Sequence, residues 1–298
     1  MKRTIVFATA IMVSLTCCER NGSDPGSDKD DIPDAIDKNV LINIGKDLSY
    51  KFSEIELYDS STHILYFSDN HPELDKYSSS TFAFITDGDT VYTGDFWPSI
   101  RSDLPTRPYI FTWPFLFRDY SIRIENREQN KPDPRNHTQI IQKLKDQNLL
   151  HSGLRAEINS SVRQDPVYVL TLSITNMDES ALLILDPDKM GTKLFHYFTN
   201  GLFVRKVTEE QFTYSIKDYE APSPLNTWSP DWLTVLQPGE VRQFTFNYEF
   251  SSPLSAGEYN FYIKYPGLSS QISKEDLIQG SGRIWLGDVT AVKKVTIE

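Results

Sequence analysis

The chain has 298 residues, room for about two domains at roughly 150 residues each, and its hydrophobic content of 39% with 12% aromatics can fill cores, which excludes a wholly disordered chain. The net charge of −11 repels phosphate backbones and argues against a nucleic-acid partner. The only cysteines are adjacent, Cys17 and Cys18, so the remainder can hold no disulfide framework, cysteine zinc site or catalytic thiol.

Lys2 and Arg3 precede an apolar run, Thr4 to Leu15, that is too short to span a bilayer and has the size of a signal-peptide core. The run ends in Leu15-Thr16-Cys17-Cys18-Glu19. This resembles the bacterial lipoprotein signal, in which a small-residue segment leads into a lipidated cysteine. The resemblance implies a signal over residues 1–18 with Cys18 as acceptor, since Leu15 then lies three residues upstream as the motif prefers. Cys17 is the alternative, for which Ser14 and Thr16 fit less well; an ordinary signal peptide with two incidental cysteines is the competing reading. Residues 19–39 follow as an acidic stretch rich in Gly, Pro and Ser with almost nothing to bury, which predicts a disordered tether. It resembles the acidic tethers that direct some Gram-negative lipoproteins to the outer face of the outer membrane. The implied address is the cell envelope, lipid-anchored and facing outward.

Residues 40–152 read as a small α+β domain. Alternation in Ile42-Asn43-Ile44 and in Ile64 to Phe67 suits strands. In Thr81 to Tyr92 two β-rich arms flank Asp87-Gly88, a pair suited to a type I′ hairpin turn. Gly94 to Phe117 carries prolines at 98, 105, 108 and 114, which predict a winding loop with short extended pieces. Ser121 to Glu125 alternates as a strand. His137 to Leu150 is the one good helix, with Ile140, Ile141 and Leu144 on a face and Asn136 or Thr138 as its cap.

From 153 to 298 the pattern changes to strands at regular spacing: Leu154–Val162, Val167–Thr175, Ala181–Leu185, Leu202–Val207, Phe212–Ile216, Trp232–Leu236, Arg242–Phe250, Tyr259–Tyr265, Arg283–Leu286 and Ala291–Ile297. Without a convincing helix, they predict a two-sheet sandwich. Phe244, Phe246 and Tyr248 alternate with polar residues, as do Tyr259, Phe261 and Ile263, giving one buried and one wet face. Leu254-Ser-Ala-Gly257-Glu-Tyr259 has the form of a tyrosine corner, and Leu236-Gln-Pro238-Gly239-Glu240 is a turn of the kind that opens the preceding strand. With Leu172-Ser-Ile174-Thr-Asn176 and Asn200-Gly201-Leu-Phe203-Val204, the order resembles bacterial immunoglobulin-like domains, among them the intracellular proteinase inhibitor family, over roughly residues 166–266. The resemblance implies sandwich geometry; that family's inhibitory residues have no counterpart that can be placed here. The predicted class is therefore mainly β, an α+β domain followed by an immunoglobulin-like β-sandwich.

Signatures of catalysis are sparse. Of the histidines at 63, 71, 137, 151 and 196, no two have the i, i+4 spacing of a zinc-protease helix, and no G-x-S-x-G elbow or phosphate loop occurs. His196 reads as a core or edge histidine. Asp186-Pro187-Asp188 lacks the further oxygens calcium needs and reads as a turn. No cofactor is implied. The best candidates for binding are Trp228 and Trp232 in the proline-rich connection Tyr219 to Trp232, because loops on rigid sandwiches collect binding residues and tryptophan offers a flat face at low entropic cost. The competing reading has both folded back over an open sheet edge. The expectation is a lipid-anchored envelope protein with a non-catalytic module for a glycan or protein; a structural subunit of an envelope assembly is the alternative, ahead of a hydrolase or protease inhibitor.

Overall fold

Short runs of β-branched and aromatic residues, separated by turn formers, make strands the dominant element from Val40 onward. The computed structural model describes residues 37–77, 80–98, 101–113, 117–127 and 131–298. Cys17, Cys18, the leader and the acidic stretch through Ile36 lie outside the described residues.

The first half supplies strands β1 (Val40–Ile44), β2 (Leu48–Lys51), β3 (Ile55–Asp59), β4 (Ile64–Phe67), β5 (Thr81–Thr86), β6 (Asp89–Pro98), β7 (Tyr109–Trp113) and β8 (Ser121–Arg123), then helix α1 (Thr138–Asp146) and β9 (Leu150–His151). They form a five-stranded sheet in the order β2-β1-β5-β6-β7 and a four-stranded sheet in the order β8-β4-β3-β9. Asp87 and Gly88 close β5 on β6 with positive φ angles of 54° and 91°, as the hairpin reading requires. The loop expected from Gly94 begins later: residues through Pro98 continue β6, and β7 adds beside them in parallel at the sheet edge. Pro98 ends its strand and Pro108 precedes the next, positions that tolerate a missing N–H. Gly94 has no room for a side chain, since a Cβ there would lie 2.2 Å from Phe82 Cζ and 2.3 Å from the Pro108 carbonyl. Helix α1 is shorter than expected and its cap is His137, without a side-chain cap bond. Asn148, in the left-handed region at φ 55°, ends it and lets Leu150–His151 pair in parallel with β3.

The second half supplies β10 (Leu154–Gln164), β11 (Val167–Asn176), β12 (Leu182–Leu185), α2 (Pro187–Met190), α3 (Thr192–Tyr197), β13 (Leu202–Lys206), β14 (Phe212–Ile216), β15 (Leu233–Leu236), β16 (Val241–Phe250), β17 (Gly257–Pro266), β18 (Ile278–Gln279), β19 (Gly282–Ile284) and β20 (Asp288–Ile297). Every strand expected here is present. A seven-stranded sheet runs β10-β11-β16-β14-β13-β17-β20, and Lys293 of β20 donates to the Asn159 carbonyl of β10, so its two edge strands meet. A four-stranded sheet runs β15-β12-β19-β18, with β12 and β19 parallel.

Helices α2 and α3 correct the expectation of a helix-free second half. Asp186 caps α2 by accepting from the Asp188 amide at 2.9 Å, Pro187 occupies the first turn, and Gly191 at φ 85° separates the two helices. Neither is long enough to show a helical period in sequence.

Alternation places Phe244, Phe246 and Tyr248 of β16 and Phe261, Ile263 and Tyr265 of β17 inside. They share a core with Leu182–Leu185, Phe195 and Trp285, each buried aromatic contributing roughly 2–3 kcal/mol by leaving water. Leu57, Ile64, Tyr66 and Tyr120 of the first half join the same cluster, while a second core consists of residues between Leu41 and Leu144. The Tyr259 hydroxyl donates to the Ser255 carbonyl at 3.0 Å, the bond a tyrosine corner makes.

Candidate functional site

The connection from β14 to β15 returns past α2 and α3, and the space between them is a groove of about 530 Å³. One wall is Met190 to Leu194; the other is Glu220 to Ser223 with Thr227 and Trp232. The walls are tied at their base, where the Glu220 amide donates to the Lys193 carbonyl at 3.1 Å and the Lys193 ammonium meets Asp218 at 2.7 Å. Below, Ser229 caps a single 3-10 turn over Pro230–Trp232, and Lys189 donates to the Leu233 carbonyl at 2.6 Å. Trp232 is thereby held half-buried, its ring 6.2 Å from Phe198, with part of its surface on the groove. Trp228 is half-buried against the large core and does not line the groove. Both tryptophans pack on that core, and only Trp232 also lines the groove. Tyr219 and Leu225 of the same connection are exposed. Lysine, glutamate, threonine and serine around one indole can satisfy a polar ligand with a flat apolar face.

The second notable surface is the outer face of the seven-stranded sheet. Register sets Phe203 opposite both Tyr214 and Tyr262, and Tyr262 opposite Val292, so four adjacent strands carry one apolar row. Phe203 and Tyr262 stack with ring centres 5.3 Å apart and planes 5° apart; Tyr214 stacks on the other side at 5.6 Å, and Phe212 meets Phe203 edge-on. Phe212, Tyr214, Ile216 and Val292 remain 40%, 55%, 57% and 55% exposed.

The densest buried charge lies where the two halves meet. Arg283 donates to Asp59 at 3.1 Å and to Asp178 at 3.4 Å, and His151 Nδ1 lies 3.0 Å from both Asp178 oxygens. Burial alone would raise the Asp178 carboxyl, but the His151 hydrogen bond and the Arg283 charge bring it down to about 2. A serine stands near, yet Ser61 Oγ donates to Asp59 at 2.6 Å while accepting from the Leu154 amide and the Trp285 indole. All of its capacity is used, and none of it activates a nucleophile. Sequence gave no sign of this cluster because its members are spread from Asp59 to Arg283.

His63 is buried and pushed down to about 3 by desolvation and by the charges of Arg135 and Arg123; its Nδ1 lies 2.7 Å from the Tyr58 hydroxyl. His196 is buried beside Tyr248 and Phe246, as a core histidine should be. Asp186 accepts from Thr234 and pairs with Arg242 at 2.8 Å, a structural cap. Among the described residues no cluster of histidine, cysteine and acids could hold a metal ion, and each carboxyl displaced in proton affinity is displaced downwards. No helix among the described residues is long and apolar enough to cross a membrane.

No known family profile and no curated protein matches this chain. Among solved structures, two of a β-glucosidase from Kluyveromyces marxianus, one labelled with selenomethionine and one in complex with glucose, align at 11% and 14% identity, each with a TM-score of 0.23. The alignments cover 49% of this chain and 14% of the glucosidase chains.

Proposed function

We propose that this chain is a lipid-anchored envelope protein of the outer membrane, facing outward, that binds a glycan in the groove beside Trp232 without catalysing a reaction. The observation that carries the reading is the groove itself, an indole held half-buried between two pinned walls with hydroxyl, amine and carboxylate groups around it. A sugar ring has this pattern in reverse, an apolar face edged by hydroxyls, and a groove whose walls are already tied loses little order on binding. The anchor rests on the lipoprotein-like run ending at Cys18, with Cys17 the alternative. The sandwich on which the groove stands is immunoglobulin-like in this reading, supported by its strand sequence and the Tyr259 corner.

The test is a fluorescence titration of the full chain in detergent with soluble xylan, mannan and laminarin. A saturable change that is lost in Trp232→Ala and kept in Trp228→Phe supports glycan binding through the groove. A flat response to all of them overturns the glycan reading.

A second reading, a subunit of an envelope assembly, is favoured by one observation: the apolar row across β14, β13, β17 and β20. Contiguous exposed aromatics of this kind mark protein contacts more often than chance exposure does.

A further inference from the structure

The outer face of the seven-stranded sheet carries charges arranged about its apolar row. Arg205 lies on β13 opposite Phe212, one strand to one side of Tyr214 and two residues below it. Its guanidinium sits 5.4 Å from the Phe212 ring and has no carboxylate partner among the described residues. Glu249 lies on β16 opposite Ile216, one strand to the other side of Tyr214 and two residues above it. It is exposed and has no cationic partner among the described residues. Other charges on this face are matched internally, Lys294 by Glu258 at 2.8 Å and Lys264 by Asp288 at 3.2 Å.

We infer that the occupant of this face is a second copy of the same chain. Two copies of one surface meet about a two-fold axis lying in the plane of contact, and such an interface must be self-complementary. An axis over Tyr214, perpendicular to the line from Arg205 to Glu249, sets the Arg205 of each copy against the Glu249 of the other. The same operation crosses the two apolar rows at Tyr214 and lays Phe203 of one copy near Ile216 of its mate. The exposed parts of Phe212, Tyr214, Ile216 and Val292 amount to on the order of 400 Å². That is about half of the roughly 800 Å² each partner contributes to a standard interface, the share expected of an apolar centre inside a polar rim. A glycan fits less well, because Phe203 has both ring faces covered by its neighbours. The inference rests on the assembly reading and is independent of the groove at Trp232.

The experiment is light scattering of the full chain in detergent, with charge reversals at the two positions. Twice the protein mass of one lipid-anchored chain is expected at micromolar concentration. Arg205→Glu and Glu249→Arg should each weaken association at least tenfold, since each sets two pairs of like charges together. The double variant should return to within about threefold of wild type. A monomer at all concentrations, or a dimer indifferent to both reversals, overturns the second copy as occupant. Photo-cross-linking from position 214 on intact cells separates the two failures. A cross-link to a different protein leaves the assembly reading standing without the dimer, and no cross-link removes both. Far-UV circular dichroism of each variant confirms that a loss of mass is not a loss of fold.

Discussion

Replacing Arg283 by methionine tests whether the buried charge between the two halves holds the fold. Methionine keeps most of the side-chain length and its apolar contacts, so the substitution removes the charge and the donors to Asp59, Asp178 and the Tyr66 hydroxyl. The two carboxylates then fare differently. Asp178 keeps His151 and the Ser180 amide, whereas Asp59 keeps only its contacts with Ser61, all on Oδ1. Its Oδ2 loses the Arg283 guanidinium and remains buried as part of an ion. Breaking such a pair from one side costs about 3–5 kcal/mol, more than an exposed pair by several-fold. In urea, with a slope of about 3 kcal/mol/M for a chain of this size, the midpoint should fall by about 1–1.7 M. Adding Asp59→Asn to Arg283→Met should recover at least half of the loss, because a neutral amide is cheaper to bury than an unpaired carboxylate. A shift below about 0.3 M for the single variant, or no recovery in the double, would refute the claim that Arg283 compensates Asp59.

Three further outcomes are expected. His63 has its folded pKa lowered from 6.5 to about 3, so the native state takes up its proton later than the unfolded chain. Its contribution is therefore intact above pH 6.5 and is lost as pH falls towards 3, by on the order of 5 kcal/mol in full. His63→Asn, which tolerates the left-handed φ of 55°, should flatten stability against pH between 6.5 and 4 when followed by urea unfolding. Gly94→Ala forces a Cβ onto Phe82 and the Pro108 carbonyl and should cost about 3 kcal/mol or more, read as a fall in Tm. Tyr259→Phe removes one hydroxyl bond to the Ser255 carbonyl and should cost about 1 kcal/mol.

The strands of the second half were legible because their residues alternate, and one buried face per strand is all that reading needs. Phe244 to Phe250 and Tyr259 to Tyr265 are cases in point. Alternation alone does not say which set faces inward. In Phe212-Thr-Tyr214-Ser-Ile216 the apolar set points outward and Ser215 inward, the reverse of the usual reading, so the exposed row was invisible in sequence. Parallel pairings such as β3 with β9 and β12 with β19 depend on where distant segments come to lie. Helices α2 and α3 fall below one recognisable period. The proline-rich connection was identified as a place for binding residues, but sequence could not tell that, of two tryptophans packed on the same core, Trp232 borders the groove and Trp228 does not.

The two cores differ in when they can form as the chain is threaded from its N-terminus. All the residues of the first lie between Leu41 and Leu144, so it can close once half the protein has emerged. The larger one mixes Leu57 and Tyr66 with Trp285, Ala291 and Ile297, and stays open until the final strand arrives. Its contacts join segments more than 200 residues apart, and until they form the inner faces of β11 and β16 stay uncovered. Leu57, Ile64, Tyr66 and Tyr120 of the first half wait for that strand as well, so neither half completes its buried surface without the other.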